Sequence, residues 1–191
     1  MSISKSNGKI IILSGPSGSG KTTLYKDLLN KNKSLVKSIS VTTRPKRPGE
    51  VHKKDYIFVS RKMFMYKIKA GHFLEYEKFF GNYYGTLSKT VRDLRSSGKN
   101  VLLCIDVKGA KNVVKKYPAA IKIFIMTLTI EDLKKRLIMR GSEDLKTIEK
   151  RLKRVKNELK EVDNYNYVIV NDNLVQAQNK LNSIINAHTG S

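Results

Sequence analysis

The sequence predicts an α/β fold, a three-layer sandwich built on a parallel core sheet and interrupted by an inserted lobe. Two features carry this prediction. Continuous apolar runs at residues 10–13 and 101–105 are typical of strands buried on both faces of a parallel sheet. These runs alternate with stretches of helical periodicity, as in a chain built from βαβ units.

The glycine-rich segment at residues 15–22 directly follows the first apolar run and precedes a predicted helix. Its residues match G-x-x-x-x-G-K-[ST]: Gly15, Pro16, Ser17, Gly18, Ser19, Gly20, Lys21 and Thr22. Glycines let successive backbone N–H groups face an anion, and the helix N-terminus adds its dipole. Lys21 can then reach nucleotide phosphates, and the Thr22 hydroxyl can bind Mg²⁺. A chance glycine-rich turn is the alternative, but the flanking strand and helix favour a phosphate-binding loop (P-loop).

The first half of the chain starts with a strand at 9–14 and a helix at 20–31, and then loses the α/β rhythm. A second strand is predicted over 35–41, ending at a segment (42–50) whose prolines and glycine stop regular structure. Further elements are a strand at 56–59, a helix at 61–70, a strand at 73–77, a turn at 81–85 and a helix at 88–97. The short elements between 38 and 96 indicate an inserted lobe.

The second half returns to regular alternation. A strand at 101–105 ends at Asp106, at the sheet edge where open α/β sheets bind ligands. The elements that follow are a helix at 109–116, a strand at 121–126, helices at 130–139 and 144–161, a strand at 167–170 and a helix at 173–187. Residues 1–37, 97–127 and 161–191 are therefore assigned to the core.

The composition of the chain restricts the cellular compartment in which we expect the protein. No apolar run reaches the eighteen residues that a membrane span requires, and the N-terminus lacks the apolar core of a signal peptide. The single cysteine, Cys104, cannot support a disulfide framework, so we expect a cytoplasmic protein.

The net charge is +22. It leaves two interpretations: binding of nucleic acid or membranes, or compositional drift combined with phosphate sites. Because the lysines are spread along the chain without interleaved aromatic residues, the second is favoured. We expect no specific nucleic-acid partner and no membrane partner.

Separated arginines could surround a transferring phosphoryl group. Arg44 and Arg47 share the proline-rich segment, Arg136 and Arg140 lie on one face of a predicted helix, and Arg151 begins a further basic face. Any one of them alone would be interpreted as a solvated side chain. Together with a P-loop they suit phosphoryl transfer, which depends on concentrated cations.

Four polar residues suggest a base-binding site. Glu75 and Asp106 could accept hydrogen bonds from purine N1–H and N2–H₂ groups, which favours guanine, and Ser40 and Thr86 could donate to O6. Surface carboxylates are the alternative, and spacing alone does not separate the two.

Along nearly its whole length the chain resembles the guanylate kinase family. Besides the P-loop, the resemblance lies in S-V-T-T-R-P-K-R-P-G-E at 40–50, F-L-E-Y at 73–76, G-N-Y-Y-G-T at 81–86 and I-D-V-K-G at 105–109. It continues through the segments at 133–141, 151–152 and 170–172. The order and spacing of these blocks are specific to that family.

The resemblance implies ATP-dependent phosphorylation of GMP and dGMP with Mg²⁺, on a P-loop NTPase fold with a GMP-binding lobe at 38–96 and a lid at 128–160. The GMP phosphate would be bound by Arg44, Arg47, Tyr56 and Tyr84. Guanine would be recognised by Ser40, Glu75, Thr86 and Asp106. Glu50 would order the loop that carries the two arginines.

On the ATP side, the resemblance assigns the loop residues 15–22 together with Thr23, and it places Asn171 against adenine. Thr22 would bind the metal. Catalysis would rest on Lys21, Arg44, Arg136, Arg140 and Arg151.

Two positions depart from the family pattern. Cys104 stands where the family usually has a carboxylate, and Lys108 where glutamine is common. The first departure bears on turnover rate more than on reaction type. Competing functions are a catalytically silent module that binds a phosphorylated protein and a basic P-loop ATPase acting on nucleic acid. The intact P-loop and lid arginines favour the kinase.

Overall fold

A parallel sheet forms the centre of the protein in a computed structural model that describes residues 7–139 and 145–190. Within these residues the sheet has five strands in the order β2-β7-β1-β8-β9. The strands are β1 (Ile10–Ser14), β2 (Leu35–Lys37), β7 (Asn100–Cys104), β8 (Ile121–Met126) and β9 (Tyr167–Val170). All of their pairings are parallel. The predicted core sheet is confirmed.

Helices cover both faces of this sheet because β1 presents apolar side chains in both directions. Ile11 and Leu13 pack in one cluster with residues of α1 (Lys21–Lys31) and α7 (Leu174–Thr189). Ile10 and Ile12 pack in the other cluster with residues of α3 (Ser88–Ser96) and α4 (Val107–Lys116). This two-sided burial gives the three-layer sandwich that the continuous apolar runs predict.

A second, mixed sheet occupies the inserted region. Its order within the described residues is β4-β3-β6-β5, formed by β3 (Val41–Thr42), β4 (Ile57–Phe58), β5 (Phe73–Phe79) and β6 (Asn82–Leu87). Phe64 of α2 (Arg61–Lys69) is fully buried and stacks on Phe73 with ring centroids 4.5 Å apart. This lobe therefore has its own small core.

The remaining helical unit is a pair, α5 (Ile130–Met139) and α6 (Leu145–Leu159). Leu133 and Leu137 of α5 pack against Ile148 and Val155 of α6. A 3₁₀ turn at Val162–Asn164 then leads into β9. None of the helices in the described parts of the chain combines the length and apolar character that crossing a membrane requires.

Two local predictions are wrong. The strand expected over 35–41 is two strands, β2 in the core sheet and β3 in the second sheet, because the chain leaves one sheet for the other between them. The turn expected over 81–85 is mostly strand β6. The turn itself is at Phe80 and Gly81, which have φ angles of +46° and +80°, so Asn82 onward is free to pair with β5.

Candidate active site

A cleft of about 480 Å³ opens at the carboxyl ends of the core strands. It is lined by the loop after β1, the end of β7, the second sheet and helix α6. Strand β2 follows β1 in sequence but lies beyond β7, whereas β8 and β9 lie on the other side of β1. The cleft is therefore at the switch point where ligands bind to open α/β sheets.

The loop after β1 is shaped to enclose an anion. Gly20 has a φ of +90°, and a Cβ there would lie 2.2 Å from Nδ2 of Asn171, so both conformation and space require glycine. Helix α1 begins at the next residue without a side-chain cap at its N-terminus. The Lys21 ammonium donates to the backbone oxygens of Gly15, at 2.6 Å, and Pro16, at 2.8 Å. The P-loop and the start of α1 thus hold the Lys21 ammonium within the loop, where nucleotide phosphates would bind.

Asn171 holds the P-loop in place from a buried position outside the cleft. Its side chain is buried and Nδ2 donates to the Ser19 backbone oxygen at 2.8 Å. Its own backbone oxygen accepts from Nη2 of Arg136 at 2.7 Å. The residue joins the end of β9 to both the loop and α5, and it does not line the cleft. Its expected contact with adenine stays a prediction.

On the opposite wall, an ion pair shapes the segment between β3 and β4. Nη2 of Arg44 lies 2.6 Å from Oε1 of Glu50, and the other carboxylate oxygen accepts from the Arg47 backbone N–H at 2.8 Å. Burial raises the pKa of Glu50, but these two hydrogen bonds outweigh it and bring the pKa below its ordinary value. Glu50 therefore stays ionised and orders the loop, while Tyr56 lies 5.5 Å from the Arg44 guanidinium.

Glu75 and Asp106 lie close together on the wall of the cleft opposite the P-loop. Glu75 is 6% exposed, and its Oε1 accepts from the Thr86 hydroxyl at 2.6 Å. Burial raises the pKa of Glu75 to about 7, with the nearby charge of Asp106 adding to the effect. Asp106 caps α4 by accepting from the Gly109 N–H at 2.8 Å. A Cβ on Gly109 would lie 2.6 Å from Oε2 of Glu75, so glycine provides the space for this carboxylate.

Helix α6, which lies in the predicted lid, contacts both the P-loop and Asp106. Nη1 of Arg151 donates to the Ser17 hydroxyl at 2.6 Å. Three residues later, Nη2 of Arg154 forms an ion pair with Oδ2 of Asp106. Sequence reasoning missed Arg154, although its i+3 spacing from Arg151 put both arginines on one helical face.

Cys104 lines the floor of the cleft at the end of β7. Burial raises the pKa of its thiol, and the positive charges of Lys21 and Lys37 oppose the shift. Burial also lowers the pKa of Lys37, whose Nζ donates to the Tyr25 hydroxyl at 3.2 Å. A thiol with a raised pKa is a poor nucleophile, so it fits the expectation of a strand residue without a covalent role.

The structure brings most of the predicted site residues together. Those lining the cleft on its P-loop side are Gly15, Ser17, Gly18, Gly20, Lys21, Thr22 and Thr23. On the other side the predicted lining residues are Ser40, Arg44, Arg47, Tyr56, Glu75, Tyr84 and Asp106, and helices α5 and α6 contribute Arg136 and Arg151.

Five of the predicted site residues within the described ranges do not line the cleft. Pro16, Glu50, Thr86 and Asn171 bind lining residues without facing the cleft, and the Ser19 backbone oxygen accepts from Asn171. In particular, the Thr86 hydroxyl donates to Oε1 of Glu75, and its expected hydrogen bond to O6 of guanine stays a prediction. Arg140 lies outside the described residues.

A P-loop at the switch point of a parallel sheet, facing a second wall that carries arginines, defines the protein as a P-loop phosphotransferase. Known proteins narrow this class. The guanylate kinase family model matches residues 7–188. The chain is 44% identical over 180 residues to a guanylate kinase of Clostridium tetani, covering 94% of this chain and 86% of that protein. It is 42% identical over 183 residues to that of Wolbachia pipientis, covering 95% and 91%.

The structural comparison agrees. A crystal structure of guanylate kinase from Anaplasma phagocytophilum superposes with a TM-score of 0.80 at 34% identity, covering 98% of this chain and 89% of that one. The chain belongs to the guanylate kinase family.

Proposed function

We propose that this protein transfers the γ-phosphoryl group of ATP to GMP or dGMP, giving ADP and GDP or dGDP. One observation supports this most directly: the P-loop, a two-arginine segment and two carboxylates suited to guanine all face a single cleft. ATP and the acceptor nucleotide would therefore meet with their phosphates between the two walls.

The basic residues fall into two groups, one for the phosphates of ATP and one for the phosphate of the acceptor nucleotide. Lys21 and the N-terminus of α1 would bind the ATP phosphates, and Arg44 and Arg47 the acceptor phosphate together with Tyr56 and Tyr84. The acceptor is already an anionic phosphate oxygen, so the step needs no general base. Catalysis then depends on alignment and neutralised charge.

The lid supplies the remaining cations. Arg136 and Arg151 line the cleft from α5 and α6, where they would stabilise charge on the transferring group. Arg140 is proposed to assist them on sequence grounds. A closed lid would also keep water from competing with GMP as the acceptor.

Mg²⁺ would accompany ATP. Magnesium in phosphoryl-transfer sites is held mainly by substrate phosphates and water, with one or two protein oxygens. The Thr22 hydroxyl in the first turn of α1 suits this arrangement. No group of three or more acidic, histidine or cysteine side chains suited to a metal occurs in the described ranges. When bound with ATP, Mg²⁺ would neutralise negative charge on the β- and γ-phosphates.

The substrates are small molecules, and we propose a cytoplasmic location without a membrane or specific nucleic-acid partner. The high positive charge is then explained in part by the need to bind two polyphosphate or phosphate anions in one cleft.

A coupled ADP-release assay tests the proposal, with ATP-Mg²⁺ as donor and GMP, dGMP, AMP, UMP or CMP as acceptor. We expect turnover confined to GMP and dGMP. Folded protein that binds GMP without transferring phosphate would instead indicate a phosphoprotein-binding module. Equal turnover of AMP would refute the roles of Glu75 and Asp106.

A further inference from the structure

Arg154 of α6 is held at the guanine end of the cleft by three contacts. Its Nη2 pairs with Oδ2 of Asp106, and its Nε donates to Oε1 of Glu158 at 2.9 Å. The guanidinium also lies 4.6 Å from the ring centroid of Phe79, at the tip of the β5–β6 hairpin. Side-chain exposure of the arginine is 30%, so these contacts are partly shielded from solvent.

These contacts hold the Asp106 carboxylate in place and leave part of its hydrogen-bonding capacity unused. One oxygen accepts from the Gly109 N–H, and the other accepts from Arg154. A carboxylate offers about four lone-pair sites, so each oxygen retains capacity for a further donor. Asp106 lines the cleft, where a purine could use this capacity.

The same helix carries the contact to the P-loop. Arg151 lies one turn before Arg154, donates to Ser17 and has its guanidinium 5.3 Å from the Phe79 ring centroid. A single aromatic ring therefore touches both arginines. The contacts to Asp106 and to the P-loop therefore come from adjacent turns of one helix.

We propose that Arg154 is a positioning residue for guanine recognition: it fixes the Asp106 carboxylate toward the base and couples an occupied base site to lid closure over ATP. This inference rests on the proposed acceptor, GMP. It adds to that function a residue that links recognition of the base to the part of the cleft where the phosphoryl group is transferred.

The test compares GMP with inosine monophosphate, which lacks the 2-amino group and so offers one hydrogen-bond donor fewer to the carboxylates of Glu75 and Asp106. We expect Arg154→Gln to lower the ratio of kcat/KM for GMP to that for inosine monophosphate by about tenfold, as for a lost hydrogen bond to a charged group. The KM for GMP should rise more than the KM for ATP. Arg154→Lys keeps the charge and should restore part of the ratio.

Lys156→Gln is the matched control, because it removes one exposed cation from the same helix. A merely structural role for Arg154 would weaken both acceptors equally, and an unchanged ratio in Arg154→Gln would overturn the inference. Calorimetric titration of both nucleotides into wild type and variant gives the same ratio from binding alone. Absent turnover in wild type would thus refute the proposed function, whereas a ratio insensitive to Arg154 refutes only this inference.

Discussion

Replacing Glu75 with glutamine should stabilise the protein while weakening its binding of GMP. The side chain is 6% exposed and accepts from Thr86, and burial raises the pKa of its carboxyl group to about 7. Glutamine has nearly the same shape, and its amide oxygen can still accept from Thr86. The substitution therefore removes the buried charge with little change in packing.

The magnitude follows from proton linkage. The folded-state pKa of Glu75 lies above its ordinary value of 4.5, so between these two values the folded protein binds more protons and loses stability as pH rises. The rise of the pKa from 4.5 to about 7 lowers the free energy of unfolding by about 3 kcal/mol at pH 8, and by less than about 1 kcal/mol at pH 5. Glu75→Gln should recover up to this amount, which for a chain of this size raises Tm by about 6–12 °C at pH 8.

Thermal unfolding at pH 5 and pH 8, without nucleotide, measures the effect. Glu77→Gln is the control on the same strand, where the carboxylate is half-buried and paired with Lys108 at 3.2 Å. A Glu75→Gln variant with the same Tm as wild type at pH 8 would refute the argument. In the wild type, GMP affinity should rise from pH 6 to pH 8 as Glu75 ionises, and the variant should bind more weakly, by about 1–3 kcal/mol, without this rise.

Two further substitutions test the ATP side of the cleft. Lys21→Ala should lower kcat by at least about 100-fold while Tm stays near that of wild type, because the lysine serves the loop and not the core; near-normal turnover would contradict the P-loop assignment. Cys104→Asp should keep or raise kcat, since the positive charges of Lys21 and Lys37 both act on this position; a sharp loss of activity would show that the thiol is required for packing at the end of β7.

Features set by neighbouring residues could be predicted from the sequence. The apolar runs of β1 and β7 identify strands buried on both faces, and the glycine pattern with Lys21 identifies the P-loop. Both are local, because a strand's burial and a loop's backbone freedom depend on residues close in the chain. The arginine and carboxylate candidates followed from motif blocks, and most of them do face one cleft.

Other features depend on how distant segments pack. No local pattern distinguishes β2 from β3, since the break between them exists only because the chain changes sheets. The functions of Thr86 and Asn171 as supports depend on partners 11 and 152 residues away.

The same holds for the link between Asp106 and Arg154, which are 48 residues apart. Their pairing requires α6 to pack against α5 and to lie over the end of β7, and that placement is a property of the assembled fold. The sequence determined the chemistry available to the cleft, namely a phosphate loop, several arginines from separate segments and guanine-compatible carboxylates. The tertiary structure decided which of these groups face the cleft and which hold others in place, because hydrogen bonds of about 3 Å are set only when the elements carrying both partners have packed.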